Sequence, residues 1–136
     1  MALSSKITAI LTDWVNSQSL TNPVICLGDG HDGVWNLFKE IATTSQRQEI
    51  LDWYHLKENL YKVGGAGKRL KQAEALLWRG RVEDAIAIFD SCHSRQVINF
   101  RAYLKKHRLR LVDYDWGGDR ERYEIDQIRV PARTPC

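Results

Sequence analysis

Two short segments hold the residue types and spacings from which chemistry could be built. One is Gly28-Asp29-Gly30, an aspartate between two glycines. The other is Asp52-Trp53-Tyr54-His55, an aspartate followed at the third position by a histidine. Phosphoryl transfer without a protein nucleophile needs hard oxygen ligands that hold divalent ions between the attacking and leaving oxygens, and an aspartate at a strand tip suits that task. Glycines beside it let the backbone turn sharply. Alone, a G-D-G reads first as a turn after a strand. The second segment gives it weight, because it ends the next candidate strand, where a substrate-facing group would come near Asp29.

Charge supplies a second feature. Residues 57–110 carry 13 basic and 5 acidic side chains, whereas residues 1–56 carry 3 and 6 and residues 111–136 carry 4 and 6. Lys57, Lys62, Lys68, Arg69 and Lys71 cluster at the start of the basic block. Two readings stay open: a phosphate-binding surface beside an acidic site, or the solvated face of ordinary helices.

The elements that must position these residues follow from periodicity. Ile7, Ile10, Leu11, Trp14 and Val15 fall at helical spacing and predict an amphipathic helix over residues 4–18, capped by Ser4 or Ser5. Pro23 opens the run Val24-Ile25-Cys26-Leu27, which predicts a buried strand ending at Gly28, with Asp29 at its C-terminal tip. Val34, Trp35, Leu37, Phe38 and Ile41 predict a helix over 32–42 with Asp32 as its N-cap, and 49–54 reads as a second strand. The result is a compact βαβ unit, expected to be parallel, with ligands gathering at the carboxyl ends of its strands. Helices are expected over 56–63, 68–78, 82–92 and 95–107, with a tight turn at Arg79-Gly80-Arg81. Residues 117–136 change character and are read as a short strand around 123–130 or a loose tail.

The length suits one globular unit or part of a larger one. No apolar run approaches the roughly 20 residues of a membrane span, and the first 18 residues do not read as a secretory signal. The expected compartment is cytoplasmic. Cys26, Cys92 and Cys136 form no C-x-x-C pair and are expected to be reduced and structural. His31 reads as exposed, and Trp35, Trp53 and Trp78 read as core residues, with base stacking the lesser option.

Taken together, Gly28-Asp29-Gly30 before a Trp-containing helix, then Leu51-Asp52-Trp53-Tyr54-His55 and a Leu-Lys-Glu-Asn-Leu helix, resemble the central part of bacterial insertion-sequence DDE transposases. The resemblance covers about residues 5–115. It implies a mixed α/β, mostly helical chain: a partial ribonuclease-H-like βαβ unit followed by a helical insertion. Residues 1–63 would be the partial core, 64–116 the insertion and 117–136 a divergent tail. By the resemblance Asp29 is the second of three catalytic acids and a metal ligand, while Asp52 and His55 match a (Cys/Asp)-x-x-His pair. Read from the residues alone, Asp52 and His55 are equally a hydrogen-bonded structural pair. The resemblance also implies Mg²⁺ or Mn²⁺ as cofactor, mobile-element DNA as partner, contacted by Lys57, Lys62, Lys68, Arg69 and Lys71, and an oligomeric assembly.

The departures from that family shape the functional expectation. Its first aspartate lies on strands upstream of the opening helix; Asp13, at that helix's polar edge, is no substitute. Its third acid is a glutamate in a helix, a context that neither Glu121 nor Glu124 has. The change at Gly117 suggests a frameshift or truncation. The expectation is therefore a transposase fragment, truncated at both ends and inactive by itself. A small non-catalytic helical module that binds DNA or protein is the alternative, and a metal-dependent phosphohydrolase ranks behind both.

Overall fold

The computed structural model describes the backbone of residues 2–115 and the side chains of residues 6–115. It is mixed α/β and mostly helical, in the order α1 (Ala2–Asn16), β1 (Val24–Gly28), α2 (Asp32–Phe38), β2 (Arg47–Leu51), α3 (Trp53–Tyr61), α4 (Gly67–Trp78), α5 (Val82–Ile88), α6 (Arg95–Lys106) and a 3-10 turn at Arg108–Arg110. No helix among the described residues is long and apolar enough to cross a membrane. The expectations for residues 117–136 lie outside the described residues. The chain divides into two compact units, Met1–Asp52 and Trp53–Cys136.

In the first unit β1 and β2 form a parallel two-stranded sheet, with Val24 opposite Arg47 and Gly28 opposite Leu51. β2 begins two residues ahead of the expected strand because Arg47 is fixed there. Its guanidinium donates to the Ile41 carbonyl at 2.9 Å and to the Glu49 carboxylate at 3.1 Å. Ala42, with φ 54, turns the chain between α2 and β2 in a left-handed conformation. α2 packs Trp35, only 3% exposed, against the sheet, with Phe38 edge-on to it at 5.6 Å. Its N-cap is His31 rather than Asp32: the His31 Nδ1 accepts the Gly33 N–H at 3.2 Å, and Asp32 becomes the acid of the first turn. Such an acid favours the positive end of the helix.

Two apolar surfaces of this unit face outward. In β1 the inward side carries Cys26 and Gly28, while Ile25 and Leu27 are 56% and 60% exposed, so the strand expected to be buried on both faces is covered on one. α1 forms but begins at Ala2, so Ser4 and Ser5 lie within the helix instead of capping it, and Ile7, Ile10, Leu11 and Trp14 are exposed while Thr12 is buried in their place. What fixes the end of α1 is polar. Asn16 donates through Nδ2 to the Glu40 carbonyl at 3.0 Å and accepts the Ala42 N–H at 2.7 Å.

The second unit is a helical core. Leu56 and Leu60, one turn apart on α3, are fully buried, as are Ala73, Leu76 and Leu77 on α4 and Leu104 on α6. α4 ends in a Schellman motif: Arg81 N–H donates to the Leu76 carbonyl at 2.9 Å and Gly80 N–H to the Leu77 carbonyl at 3.0 Å, with Gly80 at φ 69. This is the tight turn expected at Arg79-Gly80-Arg81. Ser94 caps α6, accepting the Val97 N–H at 3.3 Å. Residues 111–115 return onto the α4–α5 turn. Tyr114 and Asp115 donate their N–H groups to the Trp78 carbonyl at 2.9 and 3.2 Å, Asp115 ion-pairs with Arg79, and Trp53, Trp78 and Tyr114 form an aromatic cluster. Trp53 and Trp78 are half-buried in this cluster rather than sunk in the core. Cys26 is a buried free thiol, whereas Cys92, also buried, is disulfide-bonded, against the expectation of reduced cysteines.

Candidate active site

Each glycine around Asp29 has its own reason. An added Cβ on Gly28 would lie 2.8 Å from Trp35 Cη2, so this position stays bare to let α2 approach the strand. Gly30 adopts φ 92, a conformation that L side chains rarely take. Between them Asp29 is exposed, and its Oδ1 accepts the His31 N–H at 3.0 Å. That bond closes a side-chain turn leading into α2. The G-D-G therefore serves as a strand-to-helix turn while keeping a carboxylate at the strand tip.

Asp52 stands beside it. The last pair in the ladder is Gly28 with Leu51, so the next residues out are Asp29 and Asp52, and the Asp52 N–H donates to the Gly28 carbonyl at 2.7 Å. Neighbouring strands run about 4.8 Å apart. Parallel pairing thus places two acidic residues side by side at the carboxyl edge of the sheet, where the βαβ pattern expects a ligand site.

His55 differs from expectation. The strand expected over 49–54 ends at Leu51, and the chain turns into α3 at Trp53, placing His55 in the first turn of a helix in the second unit. The burial of Leu56 and Leu60 on one helical face outweighs the strand propensity of Trp53 and Tyr54.

The basic residues divide by environment. Lys57 ion-pairs with Glu74 at 2.9 Å; the Glu74 side chain is 8% exposed and also accepts the Tyr61 hydroxyl at 2.6 Å. Lys57 is thereby tied to the core of its unit. Lys62, Lys68 and Lys71 are exposed and form no ion pair with a described residue, while Arg69 is half-buried. Glu74 escaped sequence reasoning. Its signal was a lone acid inside the apolar stretch Ala73 to Trp78.

A divalent ion such as Mg²⁺ demands about six oxygen ligands in near-octahedral geometry. No cluster of three or more His, Cys, Asp or Glu able to hold a metal forms among the described residues. One Asp29 oxygen already accepts an amide. Asp29 and Asp52 alone do not fit a two-ion site. No protein-family model, curated protein or solved structure matches the chain.

Proposed function

We propose that this chain carries part of the ribonuclease-H-like catalytic core of a DDE-type transposase, in which the intact relative cuts and rejoins DNA at mobile-element ends. The observation that carries the reading is the parallel register that sets Asp29 and Asp52 side by side at the carboxyl edge of the sheet. It is the arrangement that the resemblance implies for the second acid and the (Cys/Asp)-x-x-His motif. The open face of β1, with Ile25 and Leu27 exposed, also supports it. A strand whose sheet is covered on both faces, as the intact family's core implies, would carry such residues. The helices that follow, with Lys62, Lys68 and Lys71 exposed, agree with a DNA-facing insertion.

With two adjacent acids and no third His, Cys, Asp or Glu grouped with them among the described residues, the chain by itself is expected to leave DNA uncut in Mg²⁺ or Mn²⁺. Cleavage that Asp29→Ala abolishes would overturn that expectation. The origin is tested in the DNA flanking the gene. Inverted repeats, or remnants encoding further strands and a helical glutamate, support a transposase; ordinary unrelated genes on both sides sink it.

A second reading, a non-catalytic helical module that binds DNA or protein, draws on the Asp29 carboxylate closing its own turn onto His31. Steeply salt-dependent DNA binding that Asp29→Ala leaves unchanged, without mobile-element sequence nearby, would favour it.

A further inference from the structure

The second unit has a groove unrelated to the two aspartates. It measures about 340 Å³ and lies between the end of α3, with Asn59 on the helix and Lys62 just past it, and α6, which lends Gln96, Asn99, Phe100 and Tyr103. That is the lower end of the range for small-ligand sites, about 300–1,000 Å³. We propose that this groove holds a single unpaired nucleotide, its base against Tyr103, its edge read by the three amides and its phosphate at Lys62.

The geometry carries the argument. Gln96 and Asn99 are three residues apart on α6, so that helix turns a pair of amides toward the groove, while Asn59 near the end of α3 and Lys62, the first residue beyond it, line the other wall. Asn59 joins the two walls: its Nδ2 donates to the His55 carbonyl at 2.8 Å and lies 3.5 Å from the Tyr103 hydroxyl, leaving its Oδ1 as an acceptor. The Gln96 and Asn99 side chains make no hydrogen bond with a described residue, so their donors and acceptors are open. Paired amide donors and acceptors match the edge of a nucleobase, as asparagine and glutamine do with adenine. Phe100 and Tyr103 lie nearly parallel, with interplanar angle 23°, and give the site an aromatic wall.

Charge selects the class of ligand. Lys62 forms no ion pair with a described residue, Arg95 is exposed in the first turn of α6, and no acidic side chain lines the groove. A phosphate gains from that field, whereas an uncharged peptide backbone does not. The groove has room for one base and not for a stacked duplex, so the nucleotide must be unpaired. As to source, a DNA strand, the inference rests on the DNA-binding reading above.

The test uses the full chain and fluorescence anisotropy with a labelled oligodeoxyadenylate single strand and the matching duplex. Gln96 and Asn99 occupy exposed helical positions where alanine is a good helix former, so Gln96→Ala and Asn99→Ala should fold. Each is expected to weaken single-strand binding about tenfold and to leave duplex binding unchanged. Lys62→Ala should lower the salt-dependence slope for the single strand by about 0.7. Equal losses on both DNAs, or none on either, overturn the groove and leave DNA binding intact. If the parent binds neither DNA, the DNA reading falls and titration with AMP decides the groove alone. Shifts of the Gln96 and Asn99 side-chain amide resonances sustain it; no shift, or shifts only with an uncharged tetrapeptide, overturns it.

Discussion

Gly28→Ala isolates the packing role of the first glycine in the G-D-G. Gly28 is not among the positive-φ residues, so an alanine there meets no backbone penalty and the effect is one of space. The added Cβ would stand 2.8 Å from Trp35 Cη2, 3.0 Å from Cζ3 and 3.1 Å from Phe38 Cε2, whereas ordinary van der Waals contact begins at 3.4 Å. The first two are ring atoms of Trp35, which is 3% exposed, so that ring cannot swing into solvent; Phe38 is half-buried. Helix and strand must separate by several tenths of an ångström. Overpacking of this kind costs about 1–3 kcal/mol. Replacing a glycine returns about 0.4–1 kcal/mol by restricting the unfolded chain. A net loss of roughly 1–2 kcal/mol remains, which should lower the urea midpoint by about 0.5–1 M. The local readout is hydrogen exchange of the Asp52 amide, which donates to the Gly28 carbonyl and should lose protection. Trp35→Phe shortens the obstructing ring. In the double variant the two changes should compensate, with a coupling of about 1 kcal/mol. A Gly28→Ala protein with the parent's midpoint and the parent's Asp52 exchange rate would refute the close approach of α2 to β1.

Three further predictions concern other parts of the chain. Burial pushes the Cys26 thiol above its ordinary value of 9.0; Arg47 opposes this and Glu49 adds to it. The stability owed to the neutral thiol is therefore complete below pH 9 and is lost as pH rises through the raised value. Urea midpoints taken from pH ~8 to pH ~10.5 should fall more steeply for the parent than for Cys26→Ala, and parallel curves would refute this. If the chain binds duplex DNA, Lys62→Ala, Lys68→Ala and Lys71→Ala should each reduce the salt-dependence slope by up to about 0.9, while Lys57→Ala, already paired with Glu74, should not. Gly80→Ala combines φ 69 with a Cβ 3.0 Å from the Asp113 backbone nitrogen, and should destabilise by about 2 kcal/mol in urea denaturation. Parent-like stability would show that residues 111–115 do not close over the α4–α5 turn.

How much of this was legible in the sequence depended on the range of the interaction that decides each feature. α4, its glycine turn and α6 could be read because their signals are local: helical apolar spacing and a glycine after the last turn. The parallel pairing of Val24–Gly28 with a second strand was equally legible, and with it the gathering of Asp29 and the segment beginning at Asp52 toward the carboxyl edge. The register of β2 was not. The Arg47 guanidinium anchors the strand's first residue to the Ile41 carbonyl six residues upstream, a bond that no periodicity announces, and the ladder starts there with Val24 opposite Arg47. His55 was misplaced because Trp53-Tyr54 favours a strand locally, while Leu56 and Leu60 reward a helix only once α4 is there to pack against. The same limit applies to the apolar stripe of α1. Spacing identifies a helix and the composition of its faces, but whether a face is buried depends on what lies against it, and here Ile7, Ile10, Leu11 and Trp14 face outward. At the site, the sequence marks Asp29 as a carboxylate at a strand tip but does not show how its oxygens are engaged. One accepts the His31 amide and helps form the turn. A carboxylate that shapes its own loop remains able to coordinate through its second oxygen, so the turn and the ligand readings of Asp29 are compatible. What separates a catalytic site from a simple turn here is the number of carboxylates brought to the sheet edge, and the described residues bring two.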